Sequence, residues 1–147
     1  MSIAQRTAQT TWDGSLASGS GQLVTGSGAL TGLDVTWAAR TEQPGGLTSP
    51  EELAAAAHSS CFAMALALRL GERRTPPQRL RVEATVTLDE VDGAPTVISS
   101  QLLVKAQVSG LDGDGFQAAV DEAAALCPIS RLFAGARVSV EALLEPH

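Results

Sequence analysis

The spacing of apolar and polar positions changes character three times along the chain. Residues 7–12, 21–25 and 33–37 are short runs rich in Thr, Val, Leu and Trp. They are broken by the clusters Ser18-Gly19-Ser20-Gly21 and Gly26-Ser27-Gly28. Runs of that length between such breakers predict three short strands in a meander. The glycines match neither GxGxxG nor GxxxxGK[ST], so they are read as turns and not as a phosphate cradle.

From residue 48 the period lengthens. Thr48-Ser49-Pro50-Glu51-Glu52-Leu53 stacks helix-start signals. Ser49 fits the N-cap with Pro50 at the first helical position, Thr48 followed by Glu51 fits a capping box instead, and both glutamates complement the helix dipole. The helix is expected to run to Leu70 and stop at a left-handed Gly71. Residues 53–68 are apolar or small on every face, the pattern of a helix buried all round. The length would suit a membrane span, but His58, Ser59, Ser60 and Arg69 interrupt it and alanine is only weakly lipophilic. A central core helix is expected, with a second copy of the chain as one possible packing partner, and no membrane contact.

Further on, Val82, Ala84, Val86 and Leu88 alternate with Arg81, Glu83, Thr85 and Thr87. This predicts half-buried strands at 79–89 and 96–107, joined as a hairpin through Asp92-Gly93-Ala94-Pro95. Asp112-Gly113-Asp114-Gly115 lacks the third acidic position and closing glutamate of a calcium loop and is read as a turn. A helix at 115–126, a helical turn at 129–134 and a strand at 137–144 complete the order βββ-α-ββ-α-(α)-β. That order predicts an α+β fold, a mixed or antiparallel sheet with a long buried central helix, in a single domain over residues 1–147.

Composition narrows the function. The chain has 147 residues, 44% of them hydrophobic, enough for one core, and a net charge of -6 leaves no electrostatic footprint for nucleic acid or an anionic membrane. Lys105 is the single lysine, so an arginine is not special merely for being one. Residues 1–14 are polar, without the apolar core of a secretory signal, and a cytoplasmic location is expected. In a reducing compartment Cys61 and Cys127 would normally be free thiols, and a disulfide there is usually transient and catalytic or redox-sensing.

Cys61 falls in mid-helix among Phe62, Met64, Ala65 and Leu68. Burial there raises a thiol pKa and makes it inert, and only a nearby cation reverses this. Arg40, at the end of the apolar stretch Val35, Trp37, Ala38 and Ala39, is the isolated candidate. Glu51 could hold its guanidinium in a bidentate pair, although dipole complementarity alone also accounts for a glutamate there. His58 precedes Cys61 by three residues on the same helix face. A Cys-His nucleophile pair, a metal site with Cys127 as third ligand, and a satisfied core histidine all remain open.

The segments Gly46-Leu47-Thr48-Ser49-Pro50-Glu51-Glu52-Leu53, Ala56-Ala57-His58-Ser59-Ser60-Cys61-Phe62 and Cys127-Pro128-Ile129-Ser130, with Trp12-Asp13-Gly14 and the strand ending at Arg40, together resemble the OsmC/Ohr family of peroxidases. The resemblance spans essentially the whole chain and is nearer the OsmC branch. It implies an intertwined homodimer with two active sites at the interface and both long helices buried in it. It also implies Cys61 as the peroxidatic cysteine, Cys127 as the resolving one, and Arg40 with Glu51 as the supporting pair, Glu52 being the adjacent alternative. Organic hydroperoxides, with hydrogen peroxide used less well, are the implied substrates. A lipoyl-type dithiol is the implied reductant, and no metal, flavin or haem cofactor is required. Cys61 would pass through a sulfenic acid to a Cys61–Cys127 disulfide. The alternatives are a non-catalytic redox-sensing or ligand-binding module on the same fold, and a zinc-binding thiol protein.

Overall fold

The glycine-punctuated first third does fold as a meander. In the computed structural model, which describes residues 1–146, β1 (Ala8–Asp13), β2 (Ser20–Thr25) and β3 (Leu33–Val35) form an antiparallel sheet in the order β1-β2-β3. Gly21 of β2 is closely packed between its neighbours. A Cβ there would lie 2.8 Å from Trp12 Cε3 and 2.9 Å from Val35 Cγ2, so two side chains occupy the space a larger residue would need. These strands belong to the first of two compact units, Met1–Leu53; the second begins at Ala54.

The third strand is shorter than expected. It ends at Val35, and Thr36 caps a helix, α1 (Trp37–Thr41), by accepting the Ala39 amide on Oγ1 at 3.0 Å. Threonine favours both strands and N-caps, and the β-rich run Val35-Thr36-Trp37 hid the second role. Arg40 therefore sits in the last turn of a short helix and not at a strand end. The chain then returns to β3, where the Thr48 amide donates to the Asp34 carbonyl at 3.3 Å.

Ser49 proves to be the N-cap of α2 (Pro50–Glu72), its Oγ accepting the Glu52 amide at 3.1 Å. The helix does not stop at Gly71. It runs on to Glu72, and Arg74 takes the left-handed conformation with φ 60. The Arg74 amide bonds the Gly71 carbonyl and the Thr75 amide bonds the Leu70 carbonyl, each at 3.0 Å, which is a Schellman arrangement with an arginine in the usual glycine place. Pro76 and Pro77 follow at once and cannot continue a helix, so the stop comes from them.

Nor is α2 buried all round. His58, Phe62, Leu66 and Leu70 are buried. On the opposite side Ala57, Ser60, Met64 and Leu68 are exposed, Met64 by 72% and Leu68 by 56%. One copy of the chain supplies a packing partner for only one side of this helix. Although α2 is long and apolar enough to cross a membrane, its buried side joins the core of the second unit.

That core rests on a mixed sheet of β4 (Arg79–Val91), β5 (Ala94–Gln107) and β6 (Arg137–Leu144), with β4 antiparallel and β6 parallel to the central β5. The hairpin turn is only Asp92 and Gly93, with φ 52 and 80, so both strands are longer than the sequence suggested. A bulge pairs Thr87 with Ser99 and Leu88 with Val97, leaving Ile98 as the extra residue. The Asp112-Gly113-Asp114-Gly115 segment is not a free turn. Asp112 Oδ1 accepts the Gly115 amide at 2.7 Å and caps α3 (Gly113–Leu126), which is followed by α4 (Pro128–Leu132). Phe62, Leu66 and Leu70 of α2 join Leu102 and Val104 of β5 and Phe116 and Val120 of α3 in one cluster. The fold is α+β, with two three-stranded sheets in place of one.

Gly21→Ala is expected to lower stability by about 1–3 kcal/mol, the usual cost of overpacking. Comparing chemical-denaturation midpoints of the variant and the parent checks this.

Candidate functional site

Cys61 lies on α2 at the border between its buried and bare sides, and is itself half-buried. Cys127 closes α3 and opens α4, fully buried. Because Pro128 follows, Cys127 is held in an extended conformation, φ -58 and ψ 117, so the chain turns sharply there. The turn brings Cys127 Sγ to 3.4 Å from Cys61 Sγ, within sulfur hydrogen-bond reach, with both thiols free. A covalent bond needs about 2 Å.

The two thiols are not equivalent. Burial pushes the Cys61 thiol up, the Ile129 amide pulls it part of the way back, and Cys127 pushes it up further. Burial acts on Cys127 in the same direction, but there the hydroxyl and amide of Ser130, the Cys61 thiol and the Ile129 amide outweigh it, and the pKa falls. A proton shared along this contact could rest on either sulfur. The donors of α4 favour leaving the negative charge on Cys127, so within its own unit Cys61 is the sulfur that keeps the proton. Accessibility runs the other way, since only Cys61 has exposed surface.

His58 is fully buried one turn before Cys61 on α2. Its Nδ1 is 2.6 Å from Ser100 Oγ on β5, its Nε2 is 2.7 Å from Ser130 Oγ on α4, and Phe133 meets its ring edge-on at 5.1 Å. Neither sulfur is its direct partner. Burial pushes its pKa down, so the imidazole is neutral near pH 7. Ser100 gave little sign of itself in the sequence beyond a polar residue at an inward position of an apolar strand. Ser130 was visible only as part of the Cys-Pro motif.

The first unit carries the ion pair. Arg40 Nε and Nη2 donate to Glu51 Oε1 and Oε2 at 2.9 and 2.8 Å, a bidentate fork on a carboxylate only 11% exposed. The guanidinium also lies 5.9 Å from the Trp37 ring centroid. The bond from Glu51 raises the pKa of Arg40 further, so its charge is permanent. Glu52 is engaged elsewhere, accepting from Thr48 Oγ1 at 2.8 Å. The structure thus joins Arg40 to Glu51 and Cys61 to Cys127.

A long helix carrying one cysteine against a second cysteine in a Cys-Pro turn, on this α+β frame, defines a class that comparison makes specific. The family model described as "OsmC-like protein" matches residues 43–142, and the chain belongs to that family. Peroxiredoxin OsmC of Escherichia coli K12 is 37% identical over 124 residues, covering 84% of this chain and 86% of that protein, and peroxiredoxin OsmC of Shigella flexneri matches equally. Among solved structures, the organic hydroperoxide resistance protein OhrB of Bacillus subtilis superposes with a TM-score of 0.69 at 26% identity, over 93% of this chain and 98% of that one. An OsmC-like protein of unknown function from Vibrio cholerae shares the fold with a TM-score of 0.76 at 16% identity, over 96% and 100% of the two chains.

The lowered pKa of His58 gives stability a defined pH dependence. The unfolded chain protonates this residue near 6.5, whereas the folded chain resists until a lower pH. The unfolded state therefore binds more protons below about pH 6.5, and stability falls as the pH drops through that window. Unfolding free energies measured between pH 7 and 5 are expected to fall in the parent and to change less steeply in His58→Gln.

Proposed function

We propose that this chain is a cysteine-based peroxidase that reduces organic hydroperoxides to alcohols and is returned to its starting state by a dithiol. The observation that carries the reading is the pair of free sulfurs 3.4 Å apart, one half-exposed and one buried, in a chain 37% identical to a peroxiredoxin. In this reading the Cys61 thiolate attacks one peroxide oxygen and the O–O bond breaks. The alkoxide leaves with a proton as the alcohol, and Cys61 becomes a sulfenic acid. Cys127 then attacks the Cys61 sulfur, water departs, and a disulfide joins the two. A lipoyl-type dithiol reduces it by exchange.

The first step needs a thiolate on Cys61, and the surroundings of that residue within its own unit oppose one. Arg40 answers that need. Its guanidinium, fixed by Glu51 and permanently charged, stabilises the Cys61 thiolate and the charge that develops on the departing oxygen. A second copy of the chain fits the same reading. The exposed stripe of Ala57, Ser60, Met64 and Leu68 is uncharged and mostly apolar, and it borders Cys61, so a partner helix covering it would place the reactive sulfur beside the dimer interface. A redox-sensing module would use the same sulfurs, but would be oxidised once and would not turn over.

Cys61→Ser is expected to abolish hydroperoxide consumption in the presence of dihydrolipoate. Wild-type turnover by that variant would remove the assignment. Arg40→Ala is expected to slow thiol oxidation by about 10²–10³-fold. It should also move the acid limb of the pH–rate profile upward, because the thiolate loses its stabilising charge. Replacing Met64 and Leu68 together with glutamate is expected to turn a dimer into a monomer, read by sedimentation.

A further inference from the structure

The proposed cycle leaves one proton without a route. When Cys127 attacks the Cys61 sulfenic acid it must give up its thiol hydrogen, yet its side chain is sealed from solvent in the hydrophobic core. Of the groups that bear on this sulfur, the Ile129 and Ser130 amides can only donate, and Cys61 is the sulfur under attack. The Ser130 hydroxyl is the remaining group able to accept a proton. It is not isolated, because its oxygen lies 2.7 Å from His58 Nε2, and His58 Nδ1 lies 2.6 Å from Ser100 Oγ. Neither His58 nor Ser100 is exposed at all.

We propose that Ser130 and His58, with Ser100 orienting the imidazole, form the proton relay of the resolving thiol. The inference rests on the peroxidase reading and assigns the second of its chemical steps. With Nδ1–H donating to Ser100, Nε2 is bare and accepts the hydroxyl of Ser130, which stands three residues after Cys127 in the first turn of α4. As the Cys127 sulfur forms its bond to Cys61, the thiol proton passes to Ser130 and the hydroxyl proton of Ser130 passes to Nε2. The S–O bond of the sulfenic acid breaks, and its electron pair leaves with the oxygen. That oxygen takes a proton from solvent on the open side of Cys61 and departs as water. The Cys127 sulfur is oxidised and the Cys61 sulfur reduced. His58 later returns its proton to solvent through the half-buried Ser130, so the net change is one thiol hydrogen and one sulfenic hydroxyl converted to water.

Two features fit this role. As the proton leaves, the hydrogen-bond pattern becomes Ser130 donating to sulfur and Nε2–H donating to Ser130, which is the arrangement that best supports the negative charge developing on the attacking Cys127 sulfur. Burial also keeps His58 neutral, so at neutral pH its bare nitrogen is ready to receive a proton.

Single-turnover oxidation by cumene hydroperoxide separates the steps. Trapping of the sulfenic acid reports the first, and loss of trappable sulfenic acid with loss of both thiols reports closure. In His58→Phe the first step is expected to stay within about threefold of the parent, while closure slows by about 10²–10³-fold and Cys61 goes on to the sulfinic acid in excess peroxide. His58→Gln distinguishes a relay from mere positioning. Glutamine can bridge both serines but takes up no proton, so closure should remain slow, and closure at the parent rate in this variant would overturn the proposal. Ser130→Ala removes the link with little disturbance of packing, and parent-rate closure there would overturn it as well. A second arm uses no peroxide. Cys61 is loaded with an aromatic disulfide reagent, and Cys127 displaces the coloured thiolate, so the relay is measured even if hydroperoxides prove not to be substrates. Equal release rates in the parent and both His58 variants would end the relay on their own.

Discussion

The packing of one side of α2 against β5 and α3 is the constraint on which the rest of the second unit depends. Phe62, Leu66 and Leu70 each contribute about 1.5–3 kcal/mol by leaving water. The same contacts fix the rotation of the helix about its axis. With Phe62 pointing into the core, Cys61 must fall about 100° away, at the edge between the covered and bare sides. His58, one turn earlier than Phe62, must point inward with it. The position of the sulfur and the burial of the histidine are thus two results of one packing decision.

Much of this was legible in the sequence because it rests on local rules. The Ser49-Pro50-Glu51-Glu52 start of α2, the alternation in β4 and the extent of β6 follow from capping and period, and all stand in the structure. The errors have a common source, in residue types that serve two local structures. Thr36 was a strand residue by propensity and an N-cap in fact, and Asp112 reads as a turn residue and caps α3. Gly71 looked like a terminator, but the proline pair beyond it sets the end of α2. The bare stripe on that helix is a different case. An apolar sequence records that a surface is buried somewhere, and it does not record whether the partner belongs to the same chain.

Site residues divide in the same way. Arg40 and Glu51 could be picked out, and the pairing of Glu52 with Thr48 settles which carboxylate meets the guanidinium. Cys61 and Cys127 were conspicuous as the only thiols. The Ser100–His58–Ser130 chain was not, because it joins β5, α2 and α4, and its outer serines are separated from the histidine by 42 and 72 positions. Only folding brings such residues together. The pKa directions divide similarly. The upward push on Cys61 followed from burial and could be anticipated, whereas the downward pull on Cys127 comes first from the Ser130 hydroxyl and then from the Ser130 amide, the Cys61 thiol and the Ile129 amide, which the turn at Pro128 gathers round it.

The two sulfurs that touch at 3.4 Å are 66 positions apart in the chain. Joining them would close a long loop and remove about 4 kcal/mol of conformational freedom from the unfolded state. The folded chain already holds the sulfurs together, so it loses almost nothing when the bond forms. Such a bond would link redox state to resistance to unfolding: a chain with the sulfurs joined would be the harder to unfold, and opening the bond would return it to a softer form.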